Sequence, residues 1–185
     1  GDNSWRVGDL SGSSYSANMK AALTTHEFAL AENSVLTFWH WMDAETSGSY
    51  PDYCYDGGRV EISVDGGAWE ALTPEGGYPY LIRAGGTPGP FPAETPVYSG
   101  THDWVAALFT LEEQEGESAR FRFRFGSDGS VTAEGWYIDD VRVSGTSGGV
   151  ADVDGAATRP LSLTPVLRQS RPNPSRTSTM IAFDL

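Results

Sequence analysis

A seven-residue run, an alanine followed by three alternating pairs of arginine and phenylalanine, limits the fold of this chain more than any other feature. It reads Ala119-Arg120-Phe121-Arg122-Phe123-Arg124-Phe125. Successive side chains of a β-strand point to opposite faces, so the phenylalanines share one face and the arginines the other. We predict a strand whose phenylalanines lie in a core. The arginines then either pair with acids of a neighbouring strand, such as Glu61 and Asp65, or form an anion site.

The rest of the sequence has the composition of an all-β domain. Its 185 residues include 22 Gly, 11 Pro, 6 Trp, 8 Tyr and 8 Phe, set in short apolar runs separated by turn residues. This pattern is typical of a sandwich or barrel. We predict an edge strand at residues 4–9, a short strand ending at residue 30, a central strand over 34–42 and a hairpin over 59–72. Residues 73–96 are predicted to be one long loop.

The charge balance excludes some partners. The formal net charge is −13 and the pI is near 4.4, whereas nucleic-acid binding needs a basic patch that contacts phosphates. No apolar run approaches the roughly 18 residues of a membrane-spanning helix. We therefore expect no nucleic-acid partner and no membrane insertion. The single cysteine, Cys54, precludes an internal disulfide and is expected to be structural.

Two adjacent acids lie in another predicted strand, Gly135-Trp136-Tyr137-Ile138-Asp139-Asp140-Val141-Arg142-Val143. Strict alternation places Asp139 on the same face as Val141 and Val143, so we predict that Asp139 points toward the apolar side. An ionised carboxylate facing a core needs a cation, an arginine or several backbone N–H donors.

Several motifs together resemble a known module. They are Leu36-Thr37-Phe38-Trp39-His40-Trp41, Asp43-Ala44-Glu45, the stretch from Tyr55 to Ser63, Asp65-Gly66-Gly67, the stretch from Arg122 to Asp128, and Gly135 to Val141. Jointly they resemble the MAM-like jelly-roll β-sandwich that accompanies immune inhibitor A-type and other secreted bacterial peptidases, related to the cleaved-adhesin domains. The resemblance implies an all-β jelly-roll β-sandwich over residues 1–145 and a secreted or cell-surface protein. The peptidase chemistry of such proteins lies in a separate domain, so the resemblance does not make this chain an enzyme.

The composition changes after the sandwich. Residues 146–165 read as a Gly/Ser-rich polar linker, and residues 166–185 are similar to the opening of immunoglobulin-like C-terminal secretion-sorting domains of the flagellar hook-capping type. The sequence stops after what would be their first strand. That strand either docks on its own sandwich or adds to an open sheet edge of another copy, which on repetition would form a filament. Its apolar members are Met180, Ile181, Ala182, Phe183 and Leu185.

Carboxylates at strand ends form a candidate metal site. Calcium takes roughly 6 to 8 oxygen ligands from loop and strand-end groups, and the resemblance adds that sandwiches of this kind often carry a structural calcium ion. The candidate ligands are Asp43, Glu45, Asp56 and Asp139. In the alternative interpretation Asp139 caps backbone amides while Asp43 and Glu45 are solvated.

A second candidate site consists of aromatic loop residues. Tyr50, Tyr53, Tyr55 and Tyr78 are predicted either to stack on sugar rings or to bury their loops.

The sequence contains no His-Glu-x-x-His, nucleophile elbow or phosphate-cradling loop, and His40 is expected to be a core histidine. We therefore expect a non-catalytic extracellular adhesion or assembly module. Its expected partners are other copies of itself, or a cell-surface glycan or protein. The alternative is a carbohydrate-binding accessory module of a secreted hydrolase or peptidase.

Overall fold

The structure, a computed structural model, describes residues 4–7, 13–84 and 89–146. Within these residues there are ten strands, a single 3-10 turn over Glu112–Gln114 and no α-helix. In chain order the strands are β1 (Trp5–Val7), β2 (Lys20–Asp43), β3 (Tyr53–Cys54), β4 (Gly57–Val64), β5 (Glu70–Ala71), β6 (Tyr80–Ile82), β7 (Pro96–Val97), β8 (Thr101–Thr110), β9 (Ser118–Gly126) and β10 (Gly135–Thr146). In this part of the chain no helix is long and apolar enough to cross a membrane.

The strands form two layers that share one long strand. One layer has the order β1-β10-β2-β8 and the other β2-β9-β4-β5. The first half of β2 pairs with β9, and its second half lies between β10 and β8. All these pairings are antiparallel, and the predicted all-β sandwich is confirmed.

The predicted break near residue 30 is wrong, because β2 runs through it without ending. Asn33 has a φ of 59°, in the left-handed region that a short polar residue tolerates. Ser34 Oγ accepts the Ala31 N–H at 3.0 Å and donates to the Gly145 carbonyl at 2.7 Å. The chain therefore bends from one layer into the other while its backbone groups remain hydrogen-bonded.

The core lies between the two layers. Phe121, Phe123 and Phe125 of β9 are fully buried, and the Phe123 ring centroid lies 4.9 Å from that of Phe38 and 6.0 Å from that of Trp136. The predicted inward face of β9 is confirmed.

The arginine face of β9 pairs with a single glutamate of β4. Arg122 donates through Nε and Nη2 to Glu61, and Arg124 Nη1 donates to Glu61 at 3.2 Å. Of the two interpretations of the arginine row, the structure favours cross-strand ion pairing for these two residues.

The hairpin predicted over residues 59–72 is confirmed by the antiparallel pairing of β4 with β5. The predicted loop over 73–96 is wrong in one part, because it contains β6. That strand pairs in parallel with β3 and antiparallel with β7. A three-residue strand is too short for its apolar and polar residues to show a recognisable alternation, so the sequence does not reveal it. Its partners, β3 and β7, are distant from it in sequence.

A β-bulge in β10 overturns the predicted orientation of Asp139. Trp136 and Ile138 are buried, but beyond the bulge the buried residues are Val141 and Val143. The register with β2 shifts between Asp139 and Arg142, and Asp140 has a φ of 51°. Because the extra residue exchanges the two faces, Asp139 lies half-exposed on the side opposite Trp136 and Ile138.

The predicted linker and C-terminal strand fall outside the described residues, except that Thr146 ends β10. This also holds for Met180, Ile181, Ala182, Phe183 and Leu185.

Replacing Phe123 should test the core directly. The Phe123→Ala change leaves a cavity against Phe38 and Trp136, so we expect the free energy of unfolding to fall by about 3–5 kcal/mol in urea titrations. The matched control is Val131→Ala, since Val131 is 57% exposed and its change should stay within about 0.5 kcal/mol. A loss below about 1 kcal/mol for Phe123→Ala would contradict this account of the core.

Candidate metal centre

Three carboxylates from three separate loops meet beside the core. Glu45 follows β2, Asp56 directly precedes β4, and Asp128 follows β9. Each offers an oxygen that lies within 4.8 Å of an oxygen of the other two. We call Glu45, Asp56 and Asp128 the acidic triad.

Asp56 organises the triad. Its side chain is fully buried, Oδ2 accepts the Tyr15 hydroxyl at 2.6 Å, and Oδ1 accepts the Asp128 backbone N–H at 2.7 Å. Asp128 is fixed in turn, since its Oδ1 accepts the N–H of Ser130 at 2.8 Å and the hydroxyl of Ser130 at 3.0 Å. Two loops and the N-terminal segment are thus held together by carboxylate hydrogen bonds.

Glu45 has a fixed backbone and an unsatisfied carboxylate. Its N–H donates to the Tyr15 hydroxyl oxygen at 3.3 Å, and its carbonyl accepts the N–H of Tyr55 at 3.1 Å and that of Asp56 at 3.4 Å. Its Oε2, however, is buried without a hydrogen-bond partner. Buried polar atoms are satisfied in the great majority of cases, so an unpaired oxygen beside two other acids requires an explanation.

Two members of the triad, Glu45 and Asp56, have raised pKa values. Burial, together with the charges of Asp56 and Asp128, raises the pKa of Glu45 to about 7. Burial raises the pKa of Asp56 to about 6, although the hydrogen bonds from Tyr15 and the Asp128 N–H oppose that shift. In the described part of the chain, ion pairs join Arg122 and Arg124 to Glu61 and Arg142 to Asp140, and none reaches the triad. The negative charge of the cluster therefore has no compensating side chain there.

Two of the four predicted metal ligands belong to the triad, and two lie elsewhere. Glu45 and Asp56 come together as described. Asp43 instead accepts the Thr101 hydroxyl at 2.7 Å and the Glu134 N–H at 3.4 Å. Asp139 accepts the N–H of Asp140 at 2.8 Å and is not part of the cluster.

Sequence reasoning missed Asp128. It lies in Gly126-Ser127-Asp128-Gly129-Ser130, which looks like a plain turn. Only the pairing of β9 with β4, in which Gly126 lies opposite Gly57, brings this turn next to Asp56.

The aromatic candidates separate into two places. Tyr50 and Tyr55 contact Arg83, whose guanidinium lies 4.1 Å from the Tyr50 ring centroid and donates to the Tyr55 hydroxyl at 3.2 Å. Tyr53 packs against Tyr50, with ring centroids 6.2 Å apart. Tyr78 lies apart from them. Its hydroxyl donates to the Leu72 carbonyl at 2.8 Å and accepts the Val60 N–H at 3.0 Å. A sugar site formed by all four tyrosines stays a prediction.

Fold and site together define a class of protein, an antiparallel β-sandwich module with an acidic cluster where its loops meet. The sequence model of the Reelin subrepeat B family matches residues 10–144, and the chain belongs to that family. Bacillopeptidase F of Bacillus subtilis (strain 168) is 41% identical over 54 residues, which is 29% of this chain. The match covers 4% of that protein's length. Both findings fit an extracellular accessory module.

The raised pKa values predict how stability depends on pH when no cation is bound. Glu45 and Asp56 hold protons more tightly in the folded protein than at their ordinary pKa values of 4.5 and 3.8. Their stabilising contribution is therefore complete below about pH 4 and is lost as the pH rises toward 7. With a chelator present, we expect the melting temperature to fall over this interval in calorimetry.

The control for this pH series is the same series in excess calcium. A cation that neutralises the triad should reduce the fall or reverse it. Identical pH profiles with calcium and with chelator would contradict the binding of calcium by the triad.

Proposed function

We propose that this domain is a non-catalytic accessory module of an extracellular protein, and that a calcium ion bound by the acidic triad stabilises it. The observation that carries this proposal is the buried, unpartnered Oε2 of Glu45 beside two further carboxylates. A divalent cation would satisfy that oxygen. It would also offset the burial and the repulsion from Asp56 and Asp128 that raise the pKa of Glu45.

The chemistry of the ligands supports calcium in particular. All three side chains offer carboxylate oxygens, which hard cations prefer, whereas the triad contains no sulfur or imidazole ligand. The full burial of Asp56 supports a structural ion, because a catalytic metal needs a position open to a substrate.

The pKa values of two potentially catalytic side chains, Cys54 and His40, support a non-catalytic role. Burial raises the pKa of the Cys54 thiol to about 12, so Cys54 is not a thiolate nucleophile at neutral pH. Burial and the neighbouring His102 lower the pKa of His40 to about 3, far from the range that suits a general base.

The substitution Glu45→Gln should change stability in opposite directions with and without calcium. In chelator at about pH 7 the neutral amide removes a buried charge, so we expect the melting temperature to rise. In calcium the variant lacks a charged ligand, so the calcium-dependent increase in melting temperature should be largely lost, as followed by calorimetry.

The matched control is Asp139→Asn, a carboxylate-to-amide change outside the triad. It should leave the calcium response unchanged. If Glu45→Gln retained the full calcium response, Glu45 would not be a ligand.

Assembly by strand addition is a second candidate function, and the edge of β8 that no described strand covers favours it. A loop contact, from the Glu75 N–H to the Leu108 carbonyl at 2.8 Å, already occupies one position of β8. β8 is ten residues long and, within the described residues, pairs with β2 alone. Trp104 and Val105 on this strand are 40% and 42% exposed. A long edge strand with exposed apolar residues is a template for another strand. The donor would be residues 166–185 of a neighbouring copy, and head-to-tail repetition would build a filament.

Light scattering after size exclusion tests strand addition. If residues 166–185 add to β8, the intact chain should form concentration-dependent oligomers, and deleting that segment should leave monomers. Trp104→Lys should also weaken association, because a charge on an edge strand opposes pairing. The control Trp39→Lys replaces a tryptophan that is 47% exposed but lies on β2, which is paired on both sides. Oligomers that persist after the deletion would exclude this donor.

A further inference from the structure

A cavity of about 340 Å³ lies between β8 and the loop that contains Glu75 and Gly77. Its lining includes His40, Tyr98, His102, Glu75 and Ala106. The loop is fixed to β8 by a hydrogen bond from the Glu75 N–H to the Leu108 carbonyl at 2.8 Å. The cavity is thus a built feature of the fold, and it does not involve the acidic triad.

The hydrogen bonding of His40 determines which of its ring nitrogens carries the proton. Trp136 Nε1 is only a donor, and it lies 3.2 Å from His40 Nδ1. Nδ1 must therefore accept, and in the neutral ring the proton is on Nε2. His40 is 1% exposed, and no acceptor among the described residues is hydrogen-bonded to Nε2. This nearly buried ring thus has an N–H donor available to the cavity.

His102 has the opposite arrangement. Its Nδ1 lies 2.9 Å from the Asp103 carbonyl, which is only an acceptor, so Nδ1 carries a proton. In the neutral ring Nε2 then has a free lone pair. The centroids of the His40 and His102 rings are 4.8 Å apart, and the ring planes are nearly perpendicular at 83°. Both rings line the cavity, so its wall includes one ring with a donor and one ring with an acceptor.

We propose that this cavity binds a neutral sugar, one hydroxyl of which accepts a hydrogen bond from His40 Nε2–H and donates one to His102 Nε2. A hydroxyl is a simple group that can accept one hydrogen bond and donate another at the same time, so it matches one donor and one acceptor. The Tyr98 ring, whose centroid lies 4.5 Å from that of His40, supplies an apolar surface for the sugar ring. The carboxylate of Glu75, which also lines the cavity, accepts a hydrogen bond from a second hydroxyl of the sugar.

The same geometry argues against other ligands. A transition metal needs a ring nitrogen with a free lone pair, which His40 does not have once Nδ1 accepts from Trp136. An anion would meet the Glu75 carboxylate and a chain with a net charge of −13. The volume lies at the lower end of the roughly 300–1,000 Å³ range of ligand sites, which suits a single sugar unit.

The first test is the protonation pattern of the two rings in the intact protein. We expect ¹⁵N NMR of histidine-labelled protein at about pH 8, where an ordinary imidazole is neutral, to show the proton on Nε2 of His40 and on Nδ1 of His102. The reverse pattern at either ring would overturn the proposal, and this measurement needs no variant.

The second test is titration of the same sample with glucose, galactose and mannose. At least one sugar should cause saturable shifts at the amides of Ala106 and Leu108 and at the His40 Nε2–H. His102→Phe keeps an aromatic ring but removes the acceptor, so it should raise Kd about tenfold. The control is His26→Phe, which makes the same change on β2 outside the cavity lining and should leave Kd unchanged. Absence of saturable shifts with all three sugars, or equal losses in both variants, would overturn the proposal.

Discussion

The pairing of β2 with three other strands is the constraint on which the rest of the structure depends. β2 has 24 residues, whereas a typical strand has five or six. A straight strand of this length could not belong to two layers that face each other. By bending at Asn33 the strand joins both layers, so β9 on one side and β10 with β8 on the other are placed by the same backbone. The core then forms where the two halves face each other, with Phe38 of β2 against Phe123 of β9.

The two faces of β2 have different consequences. His40 points inward and accepts the indole N–H of Trp136, and its ring lines the cavity beside β8. Trp41 points outward against Tyr137, with ring centroids 5.4 Å apart. The strand is bulky on both faces, as expected for a central strand, but only one of those faces belongs to the core. The other is the outer surface of the β1-β10-β2-β8 layer.

Structural features that follow from the alternation of apolar and polar residues, or from turn residues, were predictable from the sequence. Features that depend on how distant strands pair were not. The inward phenylalanines of β9 and the hairpin of β4 with β5 follow from alternation and turn chemistry alone. The orientation of Asp139 was not predictable, because a single extra residue in β10 reverses the faces without any change in composition. Glu45 and Asp56 were found because acids at strand ends are visible in sequence. Asp128 was not, since its proximity to Asp56 arises only when β9 pairs with β4.

The acidic triad and the histidine cavity share one segment of backbone. The Ser99 hydroxyl donates to the Asp56 carbonyl at 2.6 Å, and the Ala44 N–H donates to the Gly100 carbonyl at 3.1 Å. The adjacent Tyr98 is bonded to Gly58 in both directions and lines the cavity that also contains His102. A cation that fixes the loops of Glu45 and Asp56 would therefore also fix the wall of the cavity. Because coupling between two binding sites is reciprocal, a sugar held by that wall would raise the affinity of the triad for its cation by the same factor.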